Sequence, residues 1–438
     1  MNTHRSSATD VVVIGGGLAG LAAATLLARA GRSVRLFEKA PSLGGRAATQ
    51  EKEGFRFNLG PHALYRGGAA SRVLSRIGTS FSGGVPRASG GYAVDRGSKH
   101  ALPGGLLSLL STGLLGLSAK LETARLLGSL QRIDPQPLRD VPIRTWVESA
   151  VRDPAVRGLV HALVRLATYT DDPQRLSAGA ALVQVQMALR AGVRYLDGGW
   201  RVLVDGLRDA ALASGVEIET GRRVSAVEHD GAVRGVRLAG GDAVAAAAVV
   251  IAAGPDVAAT LVGGPPAARL RRWADEAMPV SAACLDVALG ALPRPRGLFA
   301  LGIDRPLYLS VHSAVARLAP DGGALVHVAR YVRPGEDTDV RVDERELEGL
   351  LDLVQPGWRR VLVERRFLPR MTVSNAEVTA AGGGLAGRPG PAVPEVRNLY
   401  VAGDWVGPEG MLADATLASA ELAARQISAL PAGAVAAA

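Results

Sequence analysis

The stretch VVVIGGGLAGLAAATLLARAG, residues 11–31, is apolar enough and long enough to raise the question of a membrane helix, and its glycines decide the matter. Val11–Ile14 is followed by Gly15, Gly16, Gly17, Leu18, Ala19 and Gly20, which contains G-x-G-x-x-G. Neither a spanning helix nor a signal sequence gains from three consecutive glycines, whereas a strand, a turn and a helix use every residue. Val11 to Ile14 reads as a buried parallel strand. Gly15 makes the tight turn, Gly17 lets a pyrophosphate approach the backbone, and Gly20 lets the helix pack closely on the strand. The helix is expected from about Leu18 to Ala30, stopping at Gly31. A second strand, Ser33 to Phe37, ends at Glu38, 18 residues after Gly20, where a carboxylate reaches a ribose hydroxyl.

Composition narrows the classes around this dinucleotide site. The 438 residues are 48% hydrophobic and 21% charged, enough for two domains with a large core. The net charge is +9, but only Lys39, Lys52, Lys99 and Lys120 are lysines, the arginines are scattered, and aromatic residues make up 4%, so no nucleic-acid surface is expected. A single cysteine, Cys284, excludes an internal disulfide and a cysteine-based metal site, and it reads as core. The seven histidines are dispersed, so no metal centre is expected. These features fit a cytosolic protein, with an anionic membrane surface as one use for the charge.

Farther along, Gly44, Gly45 and Arg46 form a second glycine turn carrying a guanidinium suited to phosphate. GFRFNLGPHALY places Phe55 and Phe57 on a short strand or hairpin broken by Gly60 and Pro61. Residues 101–119 carry no charge, and the following segment sets Leu121, Ala124, Leu127 and Leu130 three apart. Residues 101–130 therefore read as two helices of a substrate domain, a surface dipping into one leaflet, or a span interrupted by Pro103 and glycines. A helix from Trp200 to Ser214 precedes strands at 217–219, 224–229, 233–238 and 249–252. The strand Leu399 to Ala402 then runs into Gly403 and Asp404, and a last helix begins near Met411, its N–H groups suiting an anionic edge. The alanine-rich end, 433–438 above all, is expected to be a flexible tail.

Together VIGGGLAGLAAA, FEKAPSLGGR, GRRVSAVE and NLYVAGDW...GMLADATLASA resemble the FAD-dependent superfamily of phytoene desaturases, protoporphyrinogen oxidases and amine oxidases, nearest the phytoene desaturase branch. The resemblance covers about half of the chain. It implies an α/β fold in which a Rossmann-like FAD domain of the glutathione-reductase type (1–85, 195–265 and 390–432) interleaves with an α+β substrate domain (86–194 and 266–389). It also implies that Gly15, Gly17, Leu18, Ala19 and Gly20 face the pyrophosphate and Glu38 the adenosine ribose, with Lys39 beside it as a departure from the pattern. Gly45 and Arg46 would lie along the ribityl and phosphates, Val224 against adenine, and Gly403 and Asp404 against ribityl or phosphate oxygens. Met411 and Leu412 would aim backbone N–H groups at the flavin N1 and O2 edge. Gly60, Pro61 and His62 would form the loop against the isoalloxazine, and Trp405 is expected beside the cofactor.

Such enzymes transfer a hydride to the flavin, and three substrate classes compete. The amine-oxidase pattern wants a late lysine, and none follows Lys120. An apolar, isoprenoid-like substrate suits the uncharged 101–119 segment better. The acceptor is open between oxygen, a quinone and a protein. His62, His312 and Trp200 are the candidate catalytic residues, each with a structural alternative: a loop former, a core histidine, a helix cap. A redox-neutral flavin isomerase and a non-catalytic FAD module are the readings from other classes.

Overall fold

The computed structural model describes residues 9–86 and 90–430; the expected 433–438 tail lies outside them. The strand Thr9–Ile14 is buried on both faces, as its unbroken apolar run requires, and pairs in parallel with Val34–Glu38 on one side and Ala243–Ile251 on the other. Glu217–Thr220 extends the sheet beyond Val34–Glu38, and Leu399–Val401 extends it beyond Ala243–Ile251. The N-terminal end of Ala243–Ile251 leaves the parallel sheet to pair antiparallel with Val233–Leu238, which in turn pairs with Val224–His229. The helix Leu18–Arg29 starts at Gly17 and ends at Ala30, with Gly31 at a φ of 82°. It packs against Arg201–Ala213 and Leu412–Ser428 in one apolar cluster.

A second sheet of seven strands runs in the order Leu362–Ser374, Val280–Leu289, Ala324–Val332, Leu307–Val311, Phe299–Gly302, Tyr92–Asp95, Ser98–Ala101. Its central strand pair alternates faces strictly. Val326 and Val328 pack on the helix Val340–Val354, and Arg330 on that side pairs with Glu336, Asp343 and Glu346. Cys284, Ala329 and Tyr331 face a helical layer that includes Pro154–Thr168 and Ala178–Ala191. The hairpin Thr49–Lys52 with Phe55–Asn58 buries Phe55 and Phe57.

Residues 101–130 form two helices, Leu106–Ser111 and Leu117–Leu130, separated by five residues. No helix among the described residues is long and apolar enough to cross a membrane, so the spanning alternative is corrected. The expected Leu121–Leu130 stripe is also corrected. Steps of three residues turn a helix by roughly 60° short of a full turn, so that series winds from the outer face to the inner one. The face that packs inward carries Ala119, Thr123 and Leu130, while Leu121 and Ala124 point outward.

Candidate functional site

A groove of about 520 Å³ begins at the carboxyl end of the parallel sheet and passes between the two sheets. At one end lie Glu38, Lys39, Arg222, Arg223 and Val224; the first glycine turn contributes Gly15, Gly17, Leu18 and Ala19. Gly45, Arg46, Gly403, Asp404 and Leu412 line its middle, and Pro61, His62 and Trp200 lie at the other end. Three of the expected cofactor residues support the wall from behind. A Cβ on Gly20 would sit 1.8 Å from the Gly15 carbonyl oxygen, so this glycine permits the helix to touch the strand. Gly60, at a φ of 74°, leaves no room for a Cβ between Met371 and Cys284. Met411 is the buried N-cap of the last helix, and it packs with Ala180 and Val378.

The groove fits an extended dinucleotide in its local chemistry. Gly17 is open: a Cβ there would meet only the Gly44 oxygen, at 3.9 Å. Glu38 is oriented by N–H donors, with Gly16 N at 2.7 Å on one oxygen and Ala40 N at 2.8 Å on the other, and each oxygen keeps lone pairs for a hydroxyl. Arg46 and Asp404 are joined at 2.6 Å, and Asn375 donates its side-chain amide to Asp404 at 2.7 Å. Burial opposes both charges, yet their attraction holds the Arg46 guanidinium above its ordinary range and the Asp404 carboxyl below its own. Leu412, at the start of the last helix, lines the groove with a φ of 54°, a conformation that costs a non-glycine residue about 1–2 kcal/mol.

Beyond Pro61 and His62 the lining becomes apolar and aromatic: Leu59, Ala63, Tyr65, Tyr169, Met371 and Trp200. Tyr169 donates to the Pro61 carbonyl at 3.0 Å and stands edge-on to Tyr331 with ring centroids 5.7 Å apart. Sequence reasoning missed Asn375, Tyr65, Tyr169 and Met371, because they come from separate segments and carry no motif. Tyr169 is legible only as the residue closing the helix Pro154–Thr168, where it takes a φ of 61°.

The three catalytic candidates separate. His62 lines the groove edge-on to Trp200, centroids 4.8 Å apart. Its ring nitrogens lie 3.1 Å from the Gly60 oxygen and 3.2 Å from the Arg46 oxygen, and burial, with His327 nearby, pushes its pKa down to about 4. Neutral imidazole has one N–H, so only one of these two carbonyls accepts from His62, and that bond braces the loop. Trp200 lines the groove, and its backbone N–H binds the Asn58 side chain at 2.9 Å. His312 does not line it, which corrects the direct role expected of it. The ring stacks on Tyr195 at 3.7 Å, shares a hydrogen bond of 3.2 Å with the Tyr308 hydroxyl, and is held neutral by burial and by His327 and His62. Behind the loop, His327 binds Asp286 at 2.6 Å, and Asp286 also binds Arg366 at 2.6 Å. Trp405 is corrected too: it points away from the groove, donates to the Ala253 carbonyl at 2.9 Å and packs on Trp273. Cys284 is buried, its thiol pushed well up by burial, and among the described residues no cluster of side chains has a metal-binding arrangement.

The family model of the flavin-containing amine oxidoreductases matches residues 18–428. A phytoene dehydrogenase of Streptomyces griseus is 27% identical over 53% of this chain, and the aligned part spans 51% of that relative, about half its length. A coproporphyrinogen III oxidase of Propionibacterium freudenreichii subsp. freudenreichii is 26% identical over 86% of this chain and 84% of its own. Among solved structures, an oxidoreductase of Methanosarcina mazei superposes with a TM-score of 0.74 at 22% identity, covering 94% of this chain and 99% of that one. The glycine turn, the oriented carboxylate and the match over nearly the whole length agree: the chain belongs to the flavin-containing amine oxidoreductase family and is an FAD-dependent oxidoreductase.

Proposed function

We propose that the protein dehydrogenates an apolar, isoprenoid-like substrate, introducing a C–C double bond. The observation that carries this reading is the far end of the groove. Leu59, Ala63, Tyr65, Tyr169 and Met371 provide apolar and aromatic surface there, without a lysine; the one carboxylate beside Tyr65, Asp414, accepts the Ala70 N–H at 2.7 Å, and burial pushes its pKa up to about 6. Lipophilic ligands bind such sites by excluded area, with a few polar groups setting orientation.

In this reading Gly17 leaves space for the pyrophosphate, Glu38 holds the ribose, and Asp404, positioned by Arg46 and Asn375, accepts a hydroxyl. The Leu412 N–H and the dipole of its helix favour negative charge at the adjoining edge. Bound FAD supplies the hydride acceptor. Tyr169 and His62 brace the Gly60–His62 loop, and Trp200 excludes water beside it. The FAD-binding part would comprise 1–85, 195–265 and 390–432, which supply the parallel strands Thr9–Ile14, Val34–Glu38, Glu217–Thr220, Ala243–Ile251 and Leu399–Val401, and 86–194 and 266–389 would form the substrate part.

A porphyrinogen is the second reading, favoured by the extent of the match to the coproporphyrinogen III oxidase. A carboxylated macrocycle needs cations, however, and of the arginines along the groove Arg222 and Arg223 lie at its nucleotide end while Arg46 is paired with Asp404. Anaerobic bleaching of the flavin band tests these alternatives with polyenes in liposomes, porphyrinogens and amines. Bleaching by a polyene alone is expected. Bleaching by a porphyrinogen or an amine alone replaces the reading with that class, and turnover without net consumption of an acceptor makes the enzyme an isomerase.

A further inference from the structure

The five most exposed large apolar side chains among the described residues all lie within 16 positions: Leu107 at 83%, Leu117 at 78%, Leu106 at 71%, Leu110 at 61% and Leu121 at 54%. They belong to the two helices Leu106–Ser111 and Leu117–Leu130, so they form one local surface. An aqueous surface gains nothing from such a cluster, and exposed apolar patches of this kind mark interaction sites. The opposite sides of the same helices are committed to the fold through Leu109, Ala119 and Leu130, and the connection between them through Leu115.

The charges around the patch indicate what covers it. Between residues 96 and 133 the only acid is Glu122, and its two oxygens accept the backbone N–H groups of Arg152 at 2.7 Å and Asp153 at 2.9 Å. Lys120 donates to the Leu110 carbonyl at 2.7 Å, and Arg132, two residues past the long helix, to the Gly128 carbonyl at 2.9 Å. Arg125 is exposed on the long helix one turn beyond Leu121. None of these three cations forms an ion pair among the described residues, whereas arginines such as Arg72, Arg208 and Arg330 are each paired with more than one carboxylate. Exposed leucines with unpaired cations on and just past the same helix match a lipid interface, acyl chains below and phosphates above.

We propose that the two helices Leu106–Ser111 and Leu117–Leu130 are a landing surface for an anionic bilayer. Leu106, Leu107, Leu110, Leu117 and Leu121 enter one leaflet while Lys120, Arg125 and Arg132 meet phosphate headgroups. The surface goes beyond the substrate reading and stands on its own observations. It also explains a feature of the interior: the cluster beneath the helices continues through Leu176 and Tyr331 to Tyr169 and Met371 at the groove, so lipid and site flank the same apolar core.

Flotation of the flavin-loaded chain with phosphatidylcholine vesicles, with and without phosphatidylglycerol, tests this. The protein is expected to float with the anionic vesicles and to be released by salt. Leu107→Ser with Leu117→Ser, both at exposed positions, should weaken binding by at least about tenfold while flavin content and thermal midpoint stay unchanged. Arg125→Gln with Arg132→Gln should weaken binding by about tenfold and abolish the preference for phosphatidylglycerol. The proposal is overturned if the wild type stays unbound with both vesicles, or if the leucine variant floats as the wild type does. It is overturned as well if the wild type is a dimer in lipid-free buffer that the leucine variant disperses, since the face would then belong to a second copy. Flotation requires no turnover, so a protein that floats but is not bleached by polyenes loses only the substrate reading.

Discussion

Gly17 and Gly20 lie three residues apart in the same turn but face opposite surroundings. Gly17 has an ordinary φ of −81° and open space where a side chain would go, whereas Gly20 touches the Gly15 carbonyl. Gly17→Val should therefore give a folded protein whose flavin-free stability changes by no more than about 0.5 kcal/mol. Flavin content, read from absorbance per mole of purified protein, should fall below about a tenth of wild type. Gly20→Val forces the helix off the strand and should cost about 3 kcal/mol or more. A Gly17 variant that retains its flavin would remove this residue from the pyrophosphate site. Glu38 was legible at this scale because its spacing from the glycines is enough to place it. The Arg46–Asp404 pair was not, since its members are 358 positions apart and only the folded sheet brings them together.

At the scale of elements, the alternation of Ala324–Val332 predicts that His327 and Arg330 lie on opposite faces, and they do. Which face meets the loop at Gly60 depends on the neighbouring strands. Val280–Leu289 sets Asp286 opposite His327, and Leu362–Ser374 brings Arg366 to the same carboxylate. Burial alone would raise the Asp286 carboxyl; His327 and Arg366 together hold it below its ordinary range. The group thus links three strands through one buried acid. Asp286→Ala leaves Arg366 without its carboxylate and should destabilise the protein by about 3 kcal/mol, with Asp286→Asn costing less. Denaturant midpoints check this, and a loss under about 1 kcal/mol for the alanine variant would mean that the three strands are held by apolar packing alone.

For the whole molecule, the chain from Asn375 to Val378 joins the groove to the helical layer. Asn375 binds Asp404, and the Val378 carbonyl accepts the N–H of Ser177, the N-cap of the helix Ala178–Ala191. Between them, Glu377 is buried, and neither of its carboxyl oxygens has a protein hydrogen-bond partner. Burial, with Asp172 adding to it, pushes its pKa up to about 8, against the partial relief of Arg175. The folded state therefore binds a proton that the unfolded chain releases near pH 4.3. The resulting stabilisation is complete below that pH and is lost as pH rises towards 8. Glu377→Gln should remove this loss, leaving stability near pH 5 almost unchanged and raising it at pH 9 by an amount on the order of a few kcal/mol. Equal effects of the substitution on the thermal midpoint at both pH values would show that Glu377 keeps its ordinary pKa.

Residues 9–38 carry the signals for their own local fold. A continuous apolar strand, glycines where the backbone must turn or be approached, and an acid after the next strand allow few alternatives, because each constraint acts within a few residues. The uncharged stretch after residue 101 was legible as apolar but not as to its direction. Helical phase turns Leu121 outward and Leu130 inward, and the fold left Leu106, Leu107 and Leu110 without protein cover. Tyr169, Met371 and Asn375 had no local signal, since their meaning comes from strands and loops hundreds of positions apart converging on one groove. Local sterics and periodicity determined the dinucleotide turn; long-range packing decided what surrounds the groove's far end, because contact between distant segments has no signature in either one alone.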